Sequence, residues 1–280
     1  MLRRCCHIVR AKPLGAVGGL CIALLVGMAI FASALAPYNP IQINSADRLH
    51  PPSARYPLGT DDFGRDILSR VIYGARISML VGLGAVAIST TLATLVGVLS
   101  GFYGGTVDTV LQRCIDTLMA FPGLVVLLTI MAILGQGLGN VILALGIGGT
   151  AGNARIIRSA VLTIKENVYI EAARALGCRD WHLILRYILP NVAAPIMVVA
   201  TLGLGTAILA ESSLSFLGFG VPPPTPSWGG MLSGSGRTYM LKAPWMAIFP
   251  GVALSLAVFG FNMLGDALRD LLDPKLRGRT

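Results

Sequence analysis

The chain has 280 residues, of which 54% are hydrophobic and only 12% charged, against roughly 25% charged in soluble domains, so a water-soluble globule is excluded. Its net charge of +9 does not point to nucleic acid. Basic residues gather at Arg3, Arg4, Arg10 and Lys12, between Arg155 and Arg186, and at Arg269, Lys275, Arg277 and Arg279, beside apolar runs as at cytoplasmic membrane ends, with no nucleic-acid motif.

The first apolar run, Leu14–Ala36, follows Arg3-Arg4 and ends in Ala34-Leu35-Ala36, which mimics a signal-peptide cleavage site. It exceeds the roughly 7–15-residue apolar core of a signal peptide, and Pro37 fits poorly after a cut. It reads as an uncleaved first membrane helix. The next segment, Pro37–Arg76, is polar and punctuated by proline, with an amphipathic stretch around Asp62–Tyr73. Ile77–Leu99 is the second span. No charge occurs between Asp116 and Arg155, and Gly135-Gln136-Gly137 divides that stretch into a third and a Gly-rich fourth helix.

Val192–Leu217 reads as the fifth span and Trp245–Leu264 as the sixth, with a kink expected at Pro250. Between them, Gly218–Ala243 carries Val221-Pro222-Pro223-Pro224-Thr225-Pro226, which disfavours helix. The two polar segments read equally as rigid connectors or as a face that receives a delivered ligand. Crossing about 30 Å of hydrocarbon takes roughly 20 apolar residues. These runs are continuous rather than alternating, so the fold class is all-α, polytopic, with about six transmembrane helices and no barrel.

Charge sets the orientation. With an inside amino terminus, Ala151–Pro190 and the carboxyl tail are also cytoplasmic, and most Lys and Arg lie on that side. Arg48, Arg55, Arg65, Arg70 and Arg76 in the first external segment run against the trend, accompanied by Asp47, Asp61, Asp62 and Asp66. Cys5, Cys6, Cys21, Cys114 and Cys178 form no C-x-x-C pair, and His7, His50 and His182 are scattered, so neither disulfides nor a metal site is expected. Glu211 is the one acid inside an expected span. At a helix centre an acid costs on the order of 2.5–3.5 kcal/mol, so it should face a partner or a water-filled cavity. Two readings stay open: a translocation-pathway residue, or a structural hydrogen bond to Ser212, Ser213 or a neighbouring helix.

The cytoplasmic segment Lys165–Asn191 carries the most information. Ala172, Ala173 and Ala175 favour helix, Gly177 suits a helix stop, Asp180 suits the cap of a second helix, and Pro190 suits that helix's end. Glu171-Ala172-Ala173, then Gly177, then Leu189-Pro190 resembles the EAA loop of binding-protein-dependent ABC importer permeases. Tyr187 stands where that family has isoleucine, with Ile188 next to it. Leu58–Asp66, Tyr73–Arg76, Gly101–Gly105, Glu211–Gly218, Pro226–Gly229 and Leu264–Asp270 with Asp273-Pro274 resemble the second permease of the dipeptide, oligopeptide and nickel branch.

The resemblance implies a type I ABC importer transmembrane fold in the cell inner membrane. It implies a heterodimer with a related permease, two ATP-binding subunits and an extracytoplasmic substrate-binding protein. Glu171, Ala172, Ala173, Gly177, Leu189 and Pro190 would couple to the ATPases. No Gly-Lys pair occurs, so the chain lacks a phosphate-cradling loop, and ATP and Mg would serve the partner subunits. No catalytic residue is expected. Peptides are the expected solute, with nickel or another small solute as the alternative. The expected divisions are 1–76 (first helix and external segment), 77–270 (five-helix core with coupling loop 161–190) and 271–280 (tail). A protease is not supported: Ser233-Gly234-Ser235-Gly236 and Gly265-Asp266 each lack a required glycine. A stand-alone secondary transporter would leave the loop without purpose.

Overall fold

A computed structural model describes residues 13–272; the basic amino terminus with Cys5, Cys6 and His7, and the tail from Asp273 with Lys275, Arg277 and Arg279, lie outside the described residues. Among the described residues there are helices and connectors, with one isolated bridge between Thr60 and Asp66. Helix α1 (Pro13–Ile30) is the first described element. It breaks at Phe31, and one further turn, α2 (Ala32–Leu35), follows. A polar lobe over residues 36–66 leads to α3 (Ile67–Tyr103), capped by the Asp66 carboxylate, which accepts from the Ser69 amide at 2.8 Å.

The chain then turns through Gly104 into α4 (Gly105–Met119) and, at 92° to it, α5 (Gly123–Leu134). Helix α6 (Leu138–Gly148) passes through Gly149, itself in helical conformation, into α7 (Thr150–Lys165). Short helices α8 (Val168–Ala175) and α9 (Asp180–Leu183) come next, and a π-helical turn over Ile184–Ile188 joins α9 to α10 (Leu189–Phe216). Two one-turn helices, α11 (Trp228–Leu232) and α12 (Gly234–Thr238), precede α13 (Trp245–Leu272).

Among the described residues four helices are long and apolar enough to cross a membrane, or five if the bent α4–α5 pair makes one span. About six were expected, and the difference falls on the third and fourth. Helix α5 has 12 residues and α6 has 11, so each alone reaches about half of the roughly 30 Å of hydrocarbon. Helix α3 starts ten residues before Ile77, and the stretch expected to be amphipathic from Asp62 is helical only from Ile67. Pro250 lies in the opening turns of α13, which runs eight described residues past Leu264.

Helix α3 is the axis, packed against α7, α6, α10 and α1, while α13 lies against α1 and α10. Small residues permit these approaches, as expected where lipid supplies no hydrophobic drive between helices. A Cβ at Gly18 of α1 would stand 2.7 Å from the Met263 Cβ and 2.8 Å from the Gly260 carbonyl oxygen of α13. The connectors meet at one end of the bundle: Gln136 Nε2 donates to the Gly218 carbonyl (2.7 Å), Ser235 Oγ to Asp62 (2.6 Å) and Trp245 Nε1 to the Thr60 carbonyl (3.1 Å). Helices α8 and α9 join an apolar cluster with Phe102, Ile157 and Val161.

Gly18→Val should push α1 off α13 and lower the unfolding temperature in detergent, at an overpacking cost of about 1–3 kcal/mol. Gly27→Val, on the same helix with nothing within 4 Å of its added Cβ, should leave the melting curve nearly unchanged. Equal effects from the two changes would mean that helix propensity, not the α1–α13 approach, sets the loss.

Candidate functional site

Helix α8 divides its residues between a seat and a surface. Ile170 and Ala173, at 1% and 6% exposure, enter the apolar cluster that holds Phe102, Ile157, Leu183 and Ile188. Glu171 and Ala172 face outward. The Arg174 guanidinium lies 5.7 Å from the centre of the Phe102 ring, tying α8 to the end of α3. The helix stops through two crossed bonds: the Cys178 amide donates to the Ala173 carbonyl (3.1 Å) and the Gly177 amide to the Arg174 carbonyl (2.9 Å). Gly177 takes a φ of +83°, the left-handed conformation this kind of stop requires.

The second short helix departs from expectation in two ways. Arg179, not Asp180, precedes it, and the Asp180 side chain makes no capping bond. Asp180 instead occupies the first turn, where a carboxylate favours the positive end of the helix dipole. Nor does Pro190 end the helix: Asp180–Phe216 runs on through the π-helical turn. A proline has no N–H and crowds the carbonyl four residues back, and a wider turn just before it relieves both problems. There the Leu189 amide donates to the Ile184 carbonyl, and the Asn191 side chain takes the Tyr187 carbonyl at 2.6 Å.

Leu189 packs against the same cluster as Ala173, while Pro190 is exposed. Tyr187 packs there only in part, and Ile188, at 0% exposure, fills the seat beside it. Sequence reasoning missed five large apolar side chains left exposed on this element: Val168, Tyr169, Leu176, Trp181 and Leu185, with Leu176 86% exposed. The available signal was their position among charged residues, for Leu176 and Trp181 flank the Gly177-Cys178-Arg179-Asp180 stretch, where apolar residues have no helix face to share.

Further along the bundle, a cavity of about 580 Å³ is lined by small and apolar residues, Phe121 among them, with a few polar groups such as Ser89, Asn153 and Thr206. Glu211, fully buried on α10, is not among its lining residues. Ser215 Oγ donates to Glu211 Oε1 at 2.7 Å, and Ser212 Oγ lies 3.5 Å from Oε2. A second cavity, of about 480 Å³, lies between the polar lobe and the proline run, lined by Asp61, Asp62, Arg65, Gln136 and Pro222–Pro224. In that lobe Tyr56 donates to Asp47 at 2.8 Å, and burial pushes its phenol pKa up. Among the described residues no group of three metal-ligating side chains occurs.

A family profile described as the inner membrane component of binding-protein-dependent transport systems matches residues 93–278. One described as the N-terminal TM domain of oligopeptide transport permease C matches residues 3–52. The dipeptide transport system permease protein DppC of Alkalihalophilus pseudofirmus is 44% identical, over 96% of this chain and 88% of that protein. The glutathione transport system permease protein GsiD of Pectobacterium atrosepticum is 42% identical, over 92% and 86%. A solved inward-facing structure of the MetNI methionine ABC transporter superposes with a TM-score of 0.61 at 19% identity, covering 74% of this chain and 98% of that one; that likeness is one of fold.

Gly177→Ala should cost about 1–2 kcal/mol through the left-handed backbone, and Gly177→Asn less, because asparagine tolerates that region better. Amide hydrogen exchange at Cys178 is the direct measure. Faster exchange in the alanine variant than in the asparagine variant is expected, and equal protection in both would mean that the stop does not depend on the sign of φ.

Proposed function

The chain belongs to the inner membrane components of binding-protein-dependent transport systems, the permease subunits of ABC importers, and we propose that it serves a peptide importer as one of two related permeases. The family membership fixes the general part: a multi-pass membrane subunit that provides passage, while ATP with Mg is used by partner ATPases and a binding protein delivers solute. Peptide as the solute is supported by relatives whose names assign them a dipeptide and glutathione. We further infer two ATP-binding subunits on the cytoplasmic side, an extracytoplasmic binding protein on the other, and cytoplasmic amino and carboxyl termini in an inner membrane.

One observation carries the coupling role: apolar side chains stand exposed on an element whose opposite side is locked into the bundle. Large exposed apolar groups on a soluble face mark protein contacts, and Val168, Leu176 and Trp181 sit outside a seat made by Ile170, Ala173 and Leu183. A partner that grips the outer side therefore pushes on α3, α7 and α10 together. Residues 161–190 form the coupling loop, with Glu171 and Ala172 at the contact, Ala173 and Leu189 in the seat, and Gly177 and Pro190 setting the two turns. Around it, 1–76 supplies the first helix and external lobe, 77–270 the transport core and 271–280 the tail.

The mechanism is alternating access. A loaded binding protein and ATP-driven closure of the ATPases favour one arrangement of the bundle, and hydrolysis returns it to the other. Binding shifts such an equilibrium only through unequal affinity for the two arrangements, so the α8 contact must differ between them. The central cavity forms this subunit's share of the passage. Glu211 supports the wall beside it through Ser215 and Ser212 rather than touching solute.

In liposomes holding the whole complex, Gly177→Pro and Ala173→Phe should keep membrane insertion but lower dipeptide uptake per ATP hydrolysed, by a factor on the order of 10. Leu176→Glu should weaken co-purification of the ATPases, and a crosslinker at Ala172 should capture them. Uptake by this chain alone on an ion gradient would falsify the importer-subunit reading, and normal uptake by both seat variants would remove the coupling role.

A further inference from the structure

Helix α4 is held differently from every long helix around it. Of its 15 residues only Ile115 is buried, and it hangs between two turns. At one end Gly104 and Gly105 take φ values of +67° and +53°; at the other the chain bends by 92° into α5. Leu118, Met119 and Phe121 at that bend line the central cavity, where Asn153 and Ile156 of α7 also line it. The bend is thus part of the cavity wall, with little apolar packing to fix it.

Charge fixes it instead. Arg158 of α7 grips Asp108 of α4 with both arms, Nε to Oδ1 at 2.6 Å and Nη2 to Oδ2 at 2.5 Å. Ser100 of α3 also donates to Asp108, and Gln112 Nε2 donates to the Ser100 oxygen at 2.9 Å. Two turns along α4, Asp116 pairs with Arg155. Bidentate arginine–carboxylate contacts fix geometry as well as distance. Helix α7, by contrast, is pinned to α3 by close packing: a Cβ at Gly97 would stand 2.8 Å from the Ala154 carbonyl oxygen, and one at Gly101 2.8 Å from the Val161 side chain. Helix α7 ends at Lys165, two residues before the Asn167 that opens α8.

We propose that Asp108 and Arg158, with Asp116 and Arg155 as a second pair, are positioning residues that make the α4–α5 wall of the cavity follow the coupling element. The proposal rests on residues 161–190 being the ATPase contact. Motion received at α8 passes along α7, which is packed rigidly to α3, and reaches the cavity wall through ion pairs, with Ile115 the one buried apolar residue of α4 beside them. Such a joint holds direction at its contact points while the glycine turn and the bend at Pro122 absorb rotation.

The test uses the complete complex in liposomes, with loaded binding protein, reading dipeptide uptake and ATP hydrolysis together. Asp108→Arg and Arg158→Asp each set like charges face to face, and each should lower uptake per ATP by about tenfold while hydrolysis and the Ala172 crosslink to the ATPases persist. Combining the two reversals should restore the ratio to within about threefold of the parent. A structural role alone would lower the amount of complex without moving this ratio. Single reversals with the parental ratio, or a double reversal no better than either single one, overturn the latch. Should the single reversals fail to assemble, the neutral pair Asp108→Asn with Arg158→Gln takes their place, and a parental ratio there overturns it equally. No Ala172 crosslink in the parent complex removes the coupling reading and the latch with it; a crosslink retained beside an unchanged ratio removes the latch alone.

Discussion

Hydrocarbon offers a peptide group no hydrogen bond, so a helix inside a membrane is interrupted only where the protein itself replaces what the interruption removes. This chain meets that constraint at several of its breaks with single side chains. Arg76 donates to the Ala29 and Ile30 carbonyls at the end of α1 (3.0 and 3.1 Å). Asn140 Nδ2 donates to the Leu134 carbonyl at the end of α5 (2.7 Å), and Gln136 spans to Gly218 where α10 stops. Trp228, fully buried, gives its indole N–H to the Val71 carbonyl on α3 (3.0 Å). These breaks are therefore fixed joints, unlike the turns at Gly104 and Pro122.

The same bundle needs to move, and the distribution of contact types separates what moves from what does not. Where α3 meets α7, glycines bring backbones together, and such contacts are stiff because a packed interior yields little. Where α4 meets α7, charged groups face each other and the neighbouring turns are glycine or proline. Helices α8 and α9 are short, but their buried residues join the stiffer of these two regions. A push delivered to the outer side of α8 is thus carried into the axis of the bundle before it reaches the more compliant wall of the cavity.

Much of the fold was legible because long apolar runs have one meaning in lipid. Ile77–Leu99, Val192–Leu217 and Trp245–Leu264 each fall on a long helix, while Leu14–Ala36 does so only as far as Ile30. What was not legible depended on partners distant in sequence. The one-turn helices at Trp228 and Gly234 form beneath residues of α3 and the polar lobe, which the local Pro-Ser-Trp-Gly-Gly text does not announce. Pro190 reads as a break in any local rule, and the π-helical turn that accommodates it has no sequence mark of its own. In the Lys165–Asn191 segment, Gly177 was readable as a stop because its requirement is a backbone angle. The division of α8 into seat and surface was not, since Ala172 and Ala173 are chemically alike and only the position of α3 and α7 separates them.

The arginines from Arg48 to Arg76 run against the expected orientation, and each has a partner within the fold. Here Arg65 is tied to Asp61 at 2.7 Å, Arg70 Nη1 donates to the Pro40 carbonyl at 2.9 Å, and Arg48 Nε donates to the Asp62 carbonyl at 2.6 Å. Arg76 closes α1, and Arg55 lies 3.4 Å from Asp47. Four of these cations hold the polar lobe together and Arg76 holds the end of α1, so all five are parts of the fold. The basic residues between Arg155 and Arg186, by contrast, lie on or next to α8 and α9, the element whose exposed apolar side chains call for a partner.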